Sequence, residues 1–395
     1  MVNAAHNSNR KTTLLSLIIS AAPLEPPGTL VSLLLIEISI TFGVSIGVAG
    51  QIQTFSATFS TIMALLMSVL SIKLKHKKLL QYGLLAYTTS AILCAIAPNF
   101  LLMAIAYSFV GIASAIVNPM INTLIGELLP VDERSAAIGS VNSFRAFTYL
   151  VTAPIVGYIA KIYDWRMPFL FFLFPVSLIS LIAATMGVPF EGNEISENRR
   201  FLKGFTDIIS NRSAVACILG SVFAQAAWFG VLAFSASFFR QRFGVGVDQA
   251  SLYLSAIAGC FMMGSYLSGR VIYLFGRKRV TIYGVLFFSV LSMVYMFVSS
   301  MWMALFTVLL ISLFSALRFT SSISLTLEQD PSLRGTLMSL NTAALSFGRV
   351  IGAAVGGFSL VVFGWVGVGF FMSVLGFVAA CLYAFIAIDP LANEN

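Results

Sequence analysis

Glu127-Leu-Leu-Pro130-Val-Asp132-Glu133-Arg134, with Ser140-Val-Asn142 just after it, returns in the second half of the chain as Glu328-Gln-Asp330-Pro331-Ser-Leu-Arg334-Gly335, with Ser339-Leu-Asn341 after it. Each copy is a short polar break between two long apolar runs. A second pair of breaks matches in the same way. Ser71-Ile-Lys73-Leu-Lys75-His-Lys77-Lys78 has its counterpart in Gly269-Arg270-Val-Ile-Tyr-Leu-Phe-Gly276-Arg277-Lys278-Arg279. A chain that repeats its breaks in matching places is built from two related halves.

The runs between these breaks are of membrane length. Of the 395 residues, 58% are hydrophobic and only 10% charged, with a mean hydropathy of +0.95. A soluble domain carries about 25% charged residues, so bilayer must be most of this chain's solvent. The 35 Phe suit lipid-facing helices and the 30 Gly suit close helix contacts. With Pro, Gly and charge clusters as breaks, and about 20 residues to a crossing, spans are expected near 13–36, 44–71, 79–98, 100–124, 136–160 and 167–187. Six more are expected near 214–236, 249–269, 280–300, 302–327, 336–360 and 366–388. The predicted fold is an all-α integral membrane protein of twelve transmembrane helices in two pseudo-symmetric six-helix bundles. Residues 1–187 form the first bundle, 188–213 a cytoplasmic linker and 214–395 the second.

Lys and Arg in the loops set the orientation. Sixteen of the 23 fall in one set of alternate loops and four in the other, which predicts a multi-pass protein of the cytoplasmic (inner) membrane with both termini inside. The polar start, Met1 to Lys11, runs into the first span without a cleavage site and reads as leading into a retained helix.

Composition also removes several function classes. The four cysteines (Cys94, Cys217, Cys260 and Cys381) lie in apolar runs without paired spacing, and His6 and His76 are the only histidines. No disulfide framework, metal site or cofactor is expected. The spans hold no nucleophile–base set for an embedded enzyme, and no Gly-x-x-x-x-Gly-Lys loop for direct ATP drive. The net charge of +8 sits in membrane-flanking loops, so nucleic acid is not the expected partner. A channel would draw its pore rings from an oligomer, whereas this chain carries an internal two-fold repeat. A transport-inactive sensor stays open.

Several motifs carry a family resemblance. The basic stretch from Gly269-Arg270 to Gly276-Arg277-Lys278-Arg279 is one. Ala153-Pro154-Ile-Val-Gly157 in the fifth span, Gly348-x-x-x-Gly352-Ala353-x-x-Gly356-Gly357 in the eleventh, and Asp164-Trp165-Arg166 before the sixth are others. In these the sequence resembles the major facilitator superfamily over essentially its whole length, and most of all its twelve-helix proton-linked exporters. The resemblance implies a monomeric secondary transporter that moves a small solute, with protons, by alternating access. On that basis proton antiport or efflux ranks first, with proton-coupled uptake of an organic anion as the alternative. The glycines of both motifs fit plain helix packing equally well. Two family residues are absent. Ile72 and Tyr273 stand near the place of the usual loop Asp, and Tyr107 stands four residues before Gly111 in place of an Arg. The acidic partners of a loop latch are therefore sought in Glu127, Asp132 and Glu328, pairing with Lys73, Arg270 or Arg277, with Arg134 and Arg334 beside them.

Charges inside the spans narrow the site. Each costs at least about 2.5–3.5 kcal/mol at a helix centre. Glu25 lies roughly 18 Å into the first span, within Ala22-Pro23-Leu24-Glu25-Pro26-Pro27-Gly28, where the prolines must interrupt the helix. It is the candidate proton carrier: desolvation raises a carboxyl pKa and a nearby Arg lowers it, so proton and substrate can compete through one charge. The reading set against this is a permanent Glu25–Arg structural pair. Arg318 lies at a similar depth, Arg349 further out and Arg145 nearer the cytoplasm. Three Arg against one Glu favour an anionic or zwitterionic substrate. Asn118, Tyr149, Gln225 and Trp228 complete the candidate substrate contacts.

Overall fold

The broken first span decides how the N-terminal half begins. Helix α1 (Val2–Ser20) gives way to a 3₁₀ turn, Ala22–Leu24, and helix α2 starts at Pro26 and runs to Phe42. The amides of Ala21 and Leu24 reach back three residues, to the carbonyls of Ile18 (3.1 Å) and Ala21 (3.2 Å). Pro26, lacking an N–H, opens α2 at the position where a helix needs no amide bond. Glu25 is the hinge residue between the two pieces.

The computed structural model describes residues 2–189, 208, 210–330 and 334–390. After α2 come α3 (Ile46–Lys73), α4 (His76–Ile96), α5 (Phe100–Leu128) and α6 (Val131–Ile162), then a π turn (Phe169–Leu173) leading into α7 (Phe174–Gly187). The second half holds α8 (Arg212–Phe243), α9 (Val247–Phe275), α10 (Arg277–Tyr295), α11 (Met301–Leu327) and α12 (Arg334–Cys381), and ends in a π turn, Leu382–Ile386. α12 is two spans joined at Gly364, whose φ of +65° and ψ of −159° suit glycine alone. With α1 and α2 taken as one crossing and α12 as two, the described residues hold helices at the twelve places expected, and nine stretches among them are long and apolar enough to cross a membrane by length and composition alone. Helix α8 starts at Arg212 under an N-cap by Asn211, two residues inside the stretch read as linker. Most of that stretch, 190–207 with 209, lies outside the described residues.

The described chain forms two compact units. One comprises Met1–Phe42, Phe55–Ser196 and Val247–Leu252; the other comprises Gly43–Thr54, Glu197–Gly246 and Tyr253–Asn395. Each uses the same set of neighbours. In the first, α4 packs on α5 and α7, α1 on α7, and α2 on α6; in the second, α10 packs on α11 and α12, and α8 runs along α12. The sequence repeat is thus a repeat of packing. Small residues make it possible: a Cβ on Gly352 would lie 2.3 Å from the Ala226 carbonyl oxygen, and one on Gly348 would lie 2.6 Å from that of Val222. Gly348 and Gly352 of the eleventh-span motif therefore seat α12 against α8. Large apolar side chains such as Trp302, Phe306 and Phe385 stay exposed, as a surface solvated by lipid requires.

Candidate functional site

In the first unit the helix break presents Glu25 to Arg145 of α6. The Arg145 Nε donates to Glu25 Oε1 at 3.2 Å, and Nη2 donates to the same oxygen. The remaining branch, Nη1, donates to the side-chain oxygen of Asn118 on α5 at 3.2 Å. Three residues singled out separately in the sequence thus form one cluster, held by the break before α2, by α5 and by α6. The pair is only half-buried, with 25% of the Arg145 side chain and 29% of Glu25 exposed. Asn118 precedes Pro119, which lies inside the unbroken α5, and its amide oxygen accepts from Arg145. Tyr149 is half-buried one turn beyond Arg145 on α6.

Chemically, the cluster holds one carboxylate against a guanidinium whose fork fits a carboxylate or phosphate. An ionised Glu25 occupies two of the fork's nitrogens. Protonating Glu25 removes its charge and leaves the fork free for another anion.

The second unit spreads its candidates over two places. Arg349 is exposed on α12, with its guanidinium carbon 6.0 Å from the centre of the Phe229 ring on α8, within cation–π reach. One turn earlier on α8, Gln225 is buried behind Gly348, and its Oε1 has no hydrogen-bond partner. Trp228 stacks on Phe261 at 5.8 Å, and Phe261 meets Phe319 at 6.1 Å. Arg318 stands apart from these. It is 1% exposed and its Cβ comes within 3.0 Å of the place of a Cβ on Gly284, where α10 and α11 close together.

The sequence pattern described as Major Facilitator Superfamily matches residues 27–274 and again 217–395. The chain belongs to the Major Facilitator Superfamily. It is 24% identical over 318 residues to the uncharacterized MFS-type transporter YceJ of Bacillus subtilis (strain 168), covering 80% of this chain and 81% of that one. It is also 24% identical over 304 residues to Multidrug resistance protein 2 of the same organism, covering 71% and 72%. Among solved structures, the D-xylose-proton symporter superposes with a TM-score of 0.82 at 15% identity, over 96% of this chain and 98% of that chain. A bacterial homolog of the human lysosomal transporter Spinster, inward-facing and unoccupied, gives 0.78 at 16%, over 95% and 96%. These likenesses show the fold. The chain is a multi-pass membrane transporter of the superfamily.

Within this facilitator one candidate latch residue, Glu328, meets an expected partner, and another, Glu127, meets a new one. Glu127 pairs with His76 at 2.6 Å, from the loop-facing end of α4. Glu328 pairs with Arg277 at 3.9 Å, and Arg277 also reaches Asp389 at 3.7 Å. Arg134 Nε donates to the Leu129 carbonyl at 3.0 Å, bracing the turn before its own helix. Arg270 is exposed and makes no ion pair among the described residues. The side chains of Lys73, Asp132 and Arg334 lie outside the described residues. Sequence reasoning missed Phe229, Phe261 and Asp389. An aromatic one position after Trp228 gave a faint signal for Phe229; nothing marked the other two among so many Phe and terminal polar residues.

Proposed function

We propose that this facilitator carries a small organic anion or zwitterion through the cytoplasmic membrane by alternating access, with Glu25 as the coupling carboxyl and Arg145 as the anion's anchor. The observation that supports this most is the Glu25–Arg145–Asn118 cluster at the break of the first span. Proton and anion help each other at such a site. A proton on Glu25 frees Arg145 for an anion, and an anion on Arg145 takes the guanidinium from Glu25 and leaves that carboxyl to a proton. Binding in company favours movement in company, so the geometry supports proton–anion symport best. Tyr149 stays a proposed solute contact of the first unit, and Gln225, Trp228 and Arg349 beside Phe229 stay proposed contacts of the second. Arg318 was expected to join them, and its seat in the core of the second unit suits another role.

Proton antiport and efflux form the second reading, supported by the likeness to a multidrug resistance protein. There a cationic or neutral solute would compete with the proton for Glu25. In either reading the Lys- and Arg-rich loops and both termini face the cytoplasm, the halves 1–187 and 214–395 move about the linker 188–213, and the monomer is the working unit. No catalytic chemistry is assigned to the protein.

A ligand-stabilisation screen against organic anions identifies a solute, and proteoliposomes carrying a pH-sensitive dye then read the sign. Adding the solute outside acidifies the lumen for symport and alkalinises it for antiport. Solute uptake with no pH change in either direction would remove proton coupling altogether.

A further inference from the structure

The core of the second unit holds a charge that its own side chains leave unanswered. Arg318 is 1% exposed, and both Nη1 and Nη2 lack a hydrogen-bond partner. One turn earlier on the same face of α11, Ser315 is also 1% exposed, and its hydroxyl is equally without a partner. The hydroxyls nearby are already engaged. Ser321 donates to the Arg318 carbonyl at 3.1 Å and Ser322 to that of Phe319 at 3.0 Å. Tyr383, an electrostatic neighbour of the guanidinium, donates to the Cys217 carbonyl at 3.3 Å and shares a hydrogen bond with Ser221 at 3.1 Å. Among the described residues no carboxylate pairs with Arg318.

A guanidinium does not shed its proton, and a buried charge without a counter-charge is strongly unfavourable. Water could satisfy N–H groups but brings no opposite charge into a site walled by helices. The backbone of α10 closes one side, since a Cβ on Gly284 would lie 3.3 Å from the Arg318 amide nitrogen. In this conformation a side chain 1% exposed offers no open route to a branched organic solute that must bind and leave in every cycle.

We propose that Arg318, with the Ser315 hydroxyl, holds a resident small inorganic anion of halide size, separate from the transported solute. The anion neutralises the core of the second unit and is a structural partner of α11. This assignment is independent of the coupling reading at Glu25.

The test uses the full-length purified protein, melted in chloride and in gluconate at equal ionic strength, then titrated with chloride or bromide. Each tenfold rise in halide above its dissociation constant should raise the melting temperature by about 1–3 °C. Arg318→Met keeps the bulk without the charge and should abolish this response, while Arg145→Met should keep it. Because the Arg318 variant could fail to fold, bromide-soaked crystals of the unaltered protein give a second reading. An anomalous peak in contact with the Arg318 guanidinium supports the site. A melting temperature indifferent to halide, or bromide found only elsewhere, overturns it in favour of water. Stabilisation by small carboxylates but not by halides also overturns it and returns Arg318 to the transported solute.

Discussion

Neutralising both members of the Glu25–Arg145 pair, singly and together, separates a working pair from a structural one. A fully exposed ion pair contributes about 0.2–1 kcal/mol, whereas breaking a sealed pair costs about 3–5 kcal/mol. With 25% and 29% of the two side chains exposed, and two guanidinium nitrogens on one carboxylate oxygen, this pair stands between those limits. We expect a coupling energy of about 1–2 kcal/mol. Glu25→Gln, Arg145→Gln and the double variant are to be compared by equilibrium unfolding in one detergent. Each single variant should lose no more than about 2 kcal/mol, and the double should recover only the coupling term. Single losses of about 3–5 kcal/mol, largely restored in the double, would refute the reasoning and make the pair a structural clamp.

Asn118→Ala removes the acceptor that steadies Arg145; the solute's Kd should rise about 3–10-fold, roughly 0.6–1.4 kcal/mol, in calorimetric titration, with melting almost unchanged. Gly352→Ala drives a methyl to 2.3 Å from the Ala226 carbonyl oxygen, and backbone cannot step aside, so folded yield should collapse; Gly259→Ala, with nothing within 4 Å, should be neutral or stabilising by up to about 1 kcal/mol in the same yield and melting assays. Replacing Glu127 and Glu328 by Gln together breaks two partly exposed loop pairs, the second a loose one at 3.9 Å, of about 0–1 kcal/mol each; spin-label distances should show a changed inward/outward ratio, and an unchanged ratio would remove the latch.

Much of this was legible because bilayer constraints act on sequence directly. Apolar run length fixes the spans, and the three prolines around Glu25 fix the break, since proline cannot carry the helix bond there. Gly364 falls in the gap left between spans 336–360 and 366–388. Other features depend on which way a helix faces. Arg318 and Arg349 look alike in sequence, as single Arg residues inside apolar spans, yet one is sealed against α10 and the other is exposed beside Phe229. Arg318 stood out as a charge, but nothing in the sequence said whether it faced a cavity or a sister helix. Pairing across the chain was equally hidden: Glu25 could have met any of three Arg, and the α2–α6 packing selects Arg145. Glu127 meets His76 rather than a Lys because the turn into α4 carries the imidazole to it.

The most direct test of the coupling claim is solute accumulation by Glu25→Gln protein in proteoliposomes under an imposed pH gradient. Gln keeps the shape of the side chain but cannot titrate. The account predicts that gradient-driven accumulation vanishes while solute binding and downhill exchange persist at near-normal rates. A well-folded Glu25→Gln protein that still concentrates its solute when the pH gradient is applied, and only then, would contradict it.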